Sequence, residues 1–160
     1  MGYDFYIQTA DGKPAAGDEN YFRIPWTAMP RTLDAMANFR MLVELPVPSF
    51  PSLSAYGLTD RDFQPDAQRD QATSNRIAEY RAAYQAVKDA SEPQPAGIPS
   101  YKLTYNGGFL VALAEITAAL STYEAHPHVD IAEVPVGNPT WRHWVAFLRR
   151  AKKHGGLRAH

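Results

Sequence analysis

Apolar and polar residues alternate near both ends of the chain, and this alternation predicts β-strands. Residues 2–9 place aromatic and aliphatic side chains on one face and mostly polar side chains on the other, which is the period of a half-buried strand. Residues 21–24 repeat the pattern until Pro25 stops it, and residues 157–160 are long enough for a closing strand. We expect the first and last strands to lie side by side at the centre of a sheet.

The middle of the chain carries a further alternating segment that predicts a β-hairpin. Residues 101–105 alternate, residues 106–108 read Asn-Gly-Gly, and residues 109–111 are apolar. Asn-Gly between two such runs is a strong signal for a hairpin turn. With the terminal segments, this gives about five short strands.

Helical spacing of apolar residues predicts about four helices. The first three are expected at residues 29–43, 66–90 (capped by Asp66) and 113–125 (with Leu113 facing inward). The last helix is expected to begin at its cap, Thr140, and to end at Gly155 in a left-handed backbone conformation. In the last helix, Trp141, Trp144 and Leu148 recur at the spacing of a core face. We therefore interpret both tryptophans as core residues.

Two proline-rich segments connect these elements. Residues 44–65 contain four prolines and cannot form a continuous helix or a central strand, and residues 91–99 form a shorter connector. Strands and helices are segregated without a regular β-α-β repeat, which favours an α+β fold with a mainly antiparallel sheet. We expect one domain over residues 1–160.

Composition excludes several classes of protein. The chain has 160 residues, no cysteine and a net charge of −1, so a disulfide scaffold and a cysteine-type zinc finger are excluded. No apolar run approaches the roughly 18–20 residues of a membrane span, and the first residues lack a secretory signal. We expect a cytoplasmic protein that does not contact membranes.

Charge is distributed unevenly along the chain. Residues 141–160 carry a net charge of +6, whereas residues 1–140 carry −7. The basic residues singled out as a binding face are Arg142, Arg149, Lys152 and Lys153. They suit a polyanion such as nucleic acid, but cations at a helix C-terminus also stabilise the helix dipole by about 0.3–1 kcal/mol each. The pI of about 6.5 does not favour nucleic acid.

One short segment combines the residue types that bind divalent metals. In an extended backbone, His126, His128 and Asp130 project to the same side, and a two-histidine, one-carboxylate set suits Zn, Mn or Fe. A metal-bound water could then hydrolyse a phosphoester. The alternative, which we favour, is a solvated loop without metal, because no helix-borne ligand set supports the site elsewhere in the sequence.

A second candidate site is the aromatic and basic segment at residues 21–26. Strand alternation places Tyr21 and Arg23 on one face, and Trp26 follows just beyond Pro25. An arginine flanked by aromatic rings can hold an anionic or planar ligand. The alternative that we favour is an Arg23–Asp4 ion pair buried between neighbouring strands.

Four stretches together resemble a family of small proteins, described as hypothetical, from actinobacteria and the phages that infect them. They read MGYDFYI, YFRIPWTAMPRTLDAM, GIPSYKLTYNGGFLV and WRHWVAFLRRAKKHGGLRAH, and the similarity covers nearly the whole chain. The resemblance implies an accessory protein that acts inside a bacterium. It carries no assigned activity.

The sequence favours a non-enzymatic binding protein that needs no cofactor. No cysteine nucleophile, GxSxG elbow or phosphate-binding glycine motif is present. The expected partner is a host protein or a small anionic ligand, as for phage proteins that modulate the host or counter its defences. The alternatives are the metal-dependent phosphoester hydrolase and nucleic-acid binding through the basic C-terminal helix.

Overall fold

The computed structural model describes residues 1–126, 134 and 138–160, and its fold class is α+β, as predicted. Contacts divide the chain into two compact units. Unit 1 consists of residues 1–46 and 91–160, and unit 2 of residues 47–90. The assignment of residues 1–160 to one domain stays a prediction.

The strands of the described residues form two sheets in unit 1. They are β1 (Gly2–Ile7), β2 (Tyr21–Pro25), β3 (Leu42–Val43), β4 (Ile98–Pro99), β5 (Leu110–Val111) and β6 (Leu157–Ala159). The larger sheet has the order β2-β1-β6-β5 with every neighbouring pair antiparallel, and β3 pairs with β4 in parallel. The first and last strands therefore lie side by side at the sheet centre, as predicted.

The helices of the described residues include all four that the sequence predicts. They are α1 (Met29–Asn38), α2 (Gln71–Asp89), α3 (Tyr101–Thr104), α4 (Leu113–Glu124) and α5 (Asn138–Ala151). Helices α1, α4 and α5 share a core with one face of the larger sheet, and Trp141 and Trp144 are fully buried in it. The interpretation of both tryptophans as core residues is confirmed.

The ends of α1 and α2 differ from prediction. Helix α1 does not continue to residue 43, because Arg40 adopts a left-handed backbone (φ 55°) and Leu42–Val43 pairs with β4. Helix α2 begins at Gln71, and its cap is Asp70 rather than Asp66. The Asp70 carboxylate accepts the backbone N–H of Thr73 at 2.7 Å.

Three expectations about α4 and α5 are also corrected. Helix α5 begins at Asn138, so Thr140 lies inside the helix and is not its cap. The glycine with a left-handed backbone is Gly156 (φ 94°), not Gly155. Gly155 is constrained differently: its N–H donates to the carbonyl of Gln8, and a Cβ there would overlap the carbonyl of Thr9. Leu113, in the first turn of α4, is exposed.

The predicted hairpin over residues 101–111 is wrong. Tyr101–Thr104 forms helix α3, and β5 pairs with β6 instead of with residues 101–105. The reason is the side chain of Lys102, which is buried where the alternation would expose it. Its ammonium donates to Glu115 Oε1 and to the Leu110 carbonyl, both at 2.8 Å.

Unit 2 is built from α2 and the chain that precedes it. Residues 44–65 contain no α-helix or strand, as predicted, and fold instead into two 3₁₀ turns, Leu53–Tyr56 and Asp60–Phe63. Aromatic rings from these turns pack on α2, with Tyr80 contacting both Tyr56 and Phe63. Within the described residues, no helix combines the length and apolar character that crossing a membrane requires.

Candidate functional site

The aromatic and basic segment lies on β2, at one edge of the larger sheet. Tyr21 and Arg23 project from the sheet face opposite the core, and Trp26, just beyond the strand, is 60% exposed. Arg23 Nη1 lies 3.6 Å from Asp4 Oδ1, because the register pairs these two residues. The expected ion pair with Asp4 is therefore present, although it lies at the surface and is not buried.

The same aspartate also binds Tyr21. The Tyr21 hydroxyl donates to the Asp4 carboxylate, and this hydrogen bond raises the pKa of Tyr21 above its usual range. On the next strand, the Tyr6 ring packs on that of Tyr21 at 5.2 Å between centroids. These contacts fix the orientation of Tyr21, which remains 37% exposed beside β2.

An open groove of about 240 Å³ lies between β2, the preceding 3₁₀ turn (Asp18–Asn20) and α5. We call it the β2–α5 groove; its lining residues are Glu19, Tyr21, Phe22, His143, Ala146, Phe147 and Arg150. The partly exposed Phe22 forms its apolar floor, backed by the buried ring of Phe147, whose centroid lies 5.4 Å from that of Phe22. The Arg150 guanidinium donates to the Glu19 carbonyl and places a cation at the rim. The groove thus combines an apolar floor with a rim that carries both Arg150 and Glu19.

The basic residues singled out from the sequence do not line this groove. Arg142, Lys152 and Lys153 are exposed. Arg149 lies 3.6 Å from the Glu124 carboxylate and over the ring of Tyr123. The assignment of these four cations to a binding face stays a prediction.

The α5 residues that line the groove differ from the basic residues predicted from the sequence. His143, Ala146 and Arg150 follow the spacing of one α5 face, which the sequence shows. The sequence does not show that this face borders β2. Sequence reasoning therefore missed these residues as site residues.

The metal-ligand segment is only partly described. His126 follows α4, and its Nδ1 lies 2.5 Å from the Thr122 carbonyl oxygen. His128 and Asp130 lie outside the described residues. Within the described ranges, no group of three or more histidine, aspartate or glutamate side chains could hold a metal ion.

The buried pair Lys102–Glu115 is chemically distinctive but structural. The exposed fractions of the two residues are 1% and 0%. Burial raises the pKa of Glu115, while its hydrogen bonds to Lys102 and to the Ala112 N–H oppose that increase. Main-chain atoms of Leu110 and Ala112 complete the network, so the pair connects α3, β5 and α4.

Unit 2 contains a polar depression of about 490 Å³. It is lined by Arg61, Asp62, Gln64, Asp66, Ala67 and Gln68. The carboxylate of Asp62 accepts the Thr59 N–H at 2.7 Å, which lowers the pKa of Asp62. That carboxylate thus caps a 3₁₀ turn, and the lining of the depression contains no aromatic side chain.

Comparison with protein-family models, with curated proteins and with solved structures finds no match for this chain.

Proposed function

We propose that this chain is a non-enzymatic binding protein whose β2–α5 groove holds part of a partner protein. The observation that carries the proposal is the form of the groove. Its volume of about 240 Å³ falls below the roughly 300–1,000 Å³ of pockets that enclose a drug-sized ligand. An open groove of this size suits one or two side chains that a protein presents.

The composition of the groove supports the same function. Protein interfaces are enriched in aromatic residues and arginine, which contribute most of the energy at a few central contacts. Phe22 and Arg150 supply these residue types at the groove, above the buried ring of Phe147. Tyr21 on this edge strand and Trp26 just beyond it add exposed aromatic surface.

The resemblance to proteins of actinobacteria and their phages suggests the partner. An accessory protein of this kind acts in the cytoplasm of the bacterial host, and we therefore propose a host protein. A small anionic ligand with an apolar body is the second candidate, because Arg150 borders an aromatic floor.

Filling the groove tests this proposal. Ala146 is an exposed alanine on α5 that lines the groove, and Ala82 is an exposed alanine on α2 in unit 2. We expect Ala146→Arg to abolish capture of a specific protein from an actinobacterial lysate. Ala82→Arg, the same substitution on another helix, should leave capture unchanged.

The readouts separate the two candidates. Quantitative mass spectrometry compares the proteins that the wild type and each variant retain, and native mass spectrometry detects a retained small molecule. A protein set that Ala146→Arg does not alter contradicts the proposal. A small molecule lost only from Ala146→Arg supports the second candidate instead.

A further inference from the structure

The backbone of Arg23 faces away from the sheet. On the other side of β1, the Asp4 N–H donates to the His160 carbonyl at 3.2 Å, and the His160 N–H donates to the Asp4 carbonyl at 2.9 Å. In an antiparallel ladder, a residue that exchanges both bonds with one neighbour turns away from the other. Arg23, which pairs with Asp4, therefore directs its own N–H and C=O to the outer edge of β2.

The ends of this outer edge are already occupied. The Tyr21 N–H donates to the Asp18 carbonyl, and the Pro25 carbonyl accepts the Ala28 N–H. Between them lie the Tyr21 C=O and the Arg23 N–H and C=O, for which the described residues provide no backbone partner. Three consecutive main-chain groups are thus available to an added strand.

The β2–α5 groove runs beside this edge. Side chains alternate between the two faces of a strand, so every second residue of a strand added to β2 would point toward Phe22 and α5. Those residues would enter the groove, over Phe22 and Phe147. The intervening residues would lie on the opposite face, level with Tyr21 and Arg23.

Charge favours an acidic occupant over a second copy of this chain. The groove lining contains Arg150 and one acidic residue, Glu19, while the surface of α5 and of the turn after it adds four exposed basic residues: Arg142, Arg149, Lys152 and Lys153. Two β2 edges paired with each other would bring Arg23 against its copy, and like charges directly opposite are destabilising.

We infer that β2 accepts an extended acidic segment of the partner protein as an additional strand, with its apolar side chains in the β2–α5 groove. This inference rests on the proposed function and specifies how the partner binds. Main-chain hydrogen bonds at Arg23 provide affinity, and the groove selects side chains at alternate positions. Basic residues on α5 steer the acidic segment toward the edge.

The probe is an acetylated and amidated eight-residue peptide in which glutamate alternates with leucine or phenylalanine. Its dissociation constant for the full chain is measured by calorimetry, with a lysine-for-glutamate peptide as the charge control. We expect the glutamate peptide to bind, with an affinity that decreases as salt increases, and the lysine peptide not to bind.

Two variants at Arg23 separate its backbone from its side chain. Arg23→Pro removes the outward N–H without removing a bond to β1, and Arg23→Thr keeps the N–H while removing the charged side chain. We expect Arg23→Pro to weaken binding about tenfold relative to Arg23→Thr, the equivalent of one hydrogen bond. Equal affinity of the two variants contradicts strand addition.

Two further measurements apply even if Arg23→Pro does not fold. The Arg23 amide of the wild type should exchange rapidly when free and become protected when the peptide binds. N-methylation of the peptide should weaken binding only at every second residue. Unchanged exchange at Arg23, or an equal effect of N-methylation at all positions, contradicts the inference.

The outcomes distinguish this inference from the proposed function. If Ala146→Arg abolishes capture of a protein but the glutamate peptide fails to bind, the groove binds its partner without strand addition. If Ala146→Arg leaves capture unchanged, the proposed function itself is wrong.

Discussion

Residues 2–7 and residues 101–105 have the same alternation of apolar and polar side chains, but they fold differently. In β1 the alternation separates two faces: Phe5 is fully buried, and Asp4 on the opposite face is partly exposed. In residues 101–105 the polar Lys102 is as buried as the apolar Leu103, and Tyr101–Thr104 is helical. A local pattern thus specifies a strand only where its polar positions reach solvent.

The two regions also contain two different ion pairs. Arg23–Asp4 spans β2 and β1 at the surface, with side chains 51% and 26% exposed. Lys102–Glu115 is enclosed by the core of unit 1. Water screens the first pair and not the second, so the consequences of breaking them should differ several-fold.

The largest expected effect comes from Lys102→Met. This change leaves the Glu115 carboxylate buried without its cation, which typically costs about 3–5 kcal/mol. The free energy of unfolding, measured by urea denaturation, should decrease by that amount. A decrease below about 1 kcal/mol would show that the pair does not hold α3 in place.

A double variant is the matched control. Lys102→Met combined with Glu115→Gln removes both charges, and the glutamine oxygen still accepts the Ala112 N–H that Glu115 now accepts at 2.8 Å. We expect the double variant to recover much of the lost stability. If the double variant is less stable than Lys102→Met, the loss arises from packing and not from charge.

The sequence predicts the fold wherever one face of an element is apolar and the other polar. Such a pattern correctly predicts β1, β2, β6 and the four long helices. The expectation that β1 and β6 lie side by side at the sheet centre is also confirmed. It fails at Lys102, because its partner Glu115 lies 13 positions away and only the folded chain brings the two together. The ends of helices also deviate, since caps depend on backbone geometry.

The candidate site could be predicted only in part. The segment containing Tyr21 and Arg23 was identified from residue type, and its pairing with Asp4 from strand alternation. The groove itself depends on α5 packing beside β2, which no local pattern encodes. His143 and Arg150 could be identified as residues of its lining only after that packing was known.

An intermediate effect is expected for Gly155→Ala, which perturbs the central strands. A Cβ at this position would overlap the Thr9 carbonyl oxygen, and such overpacking typically costs about 1–3 kcal/mol. Gly107 lies in the segment that was wrongly predicted to be a hairpin. A Cβ there would make only ordinary contacts, with the Phe109 ring 3.4 Å away. Thermal unfolding should therefore show a large decrease in Tm for Gly155→Ala and little change for Gly107→Ala. Equal decreases would contradict this difference in packing.

A smaller effect is expected from the titration of Glu115. Because burial raises the pKa of Glu115, the folded protein retains this proton more strongly than the unfolded chain does. The stabilisation that this proton provides is fully present below pH 4.5, the ordinary pKa of glutamate, and it is lost as the pH rises through the raised pKa of Glu115. The unfolding free energy of the wild type should therefore decrease relative to that of Glu115→Gln over this window. An increase would show that the bond to Lys102 outweighs burial.

The smallest effect on stability is expected for Asp4→Asn in the exposed pair. Surface pairs contribute about 0.2–1 kcal/mol, so the unfolding free energy should change by no more than that. Asp34→Asn, an exposed aspartate on α1, is the control for loss of charge alone. The informative readout is the pKa of Tyr21, which Asp4 raises and which should therefore fall in Asp4→Asn, measured by NMR of the tyrosine ring. If that pKa stays raised, Asp4 does not orient Tyr21, and the rim of the β2–α5 groove is held by Tyr6 packing instead.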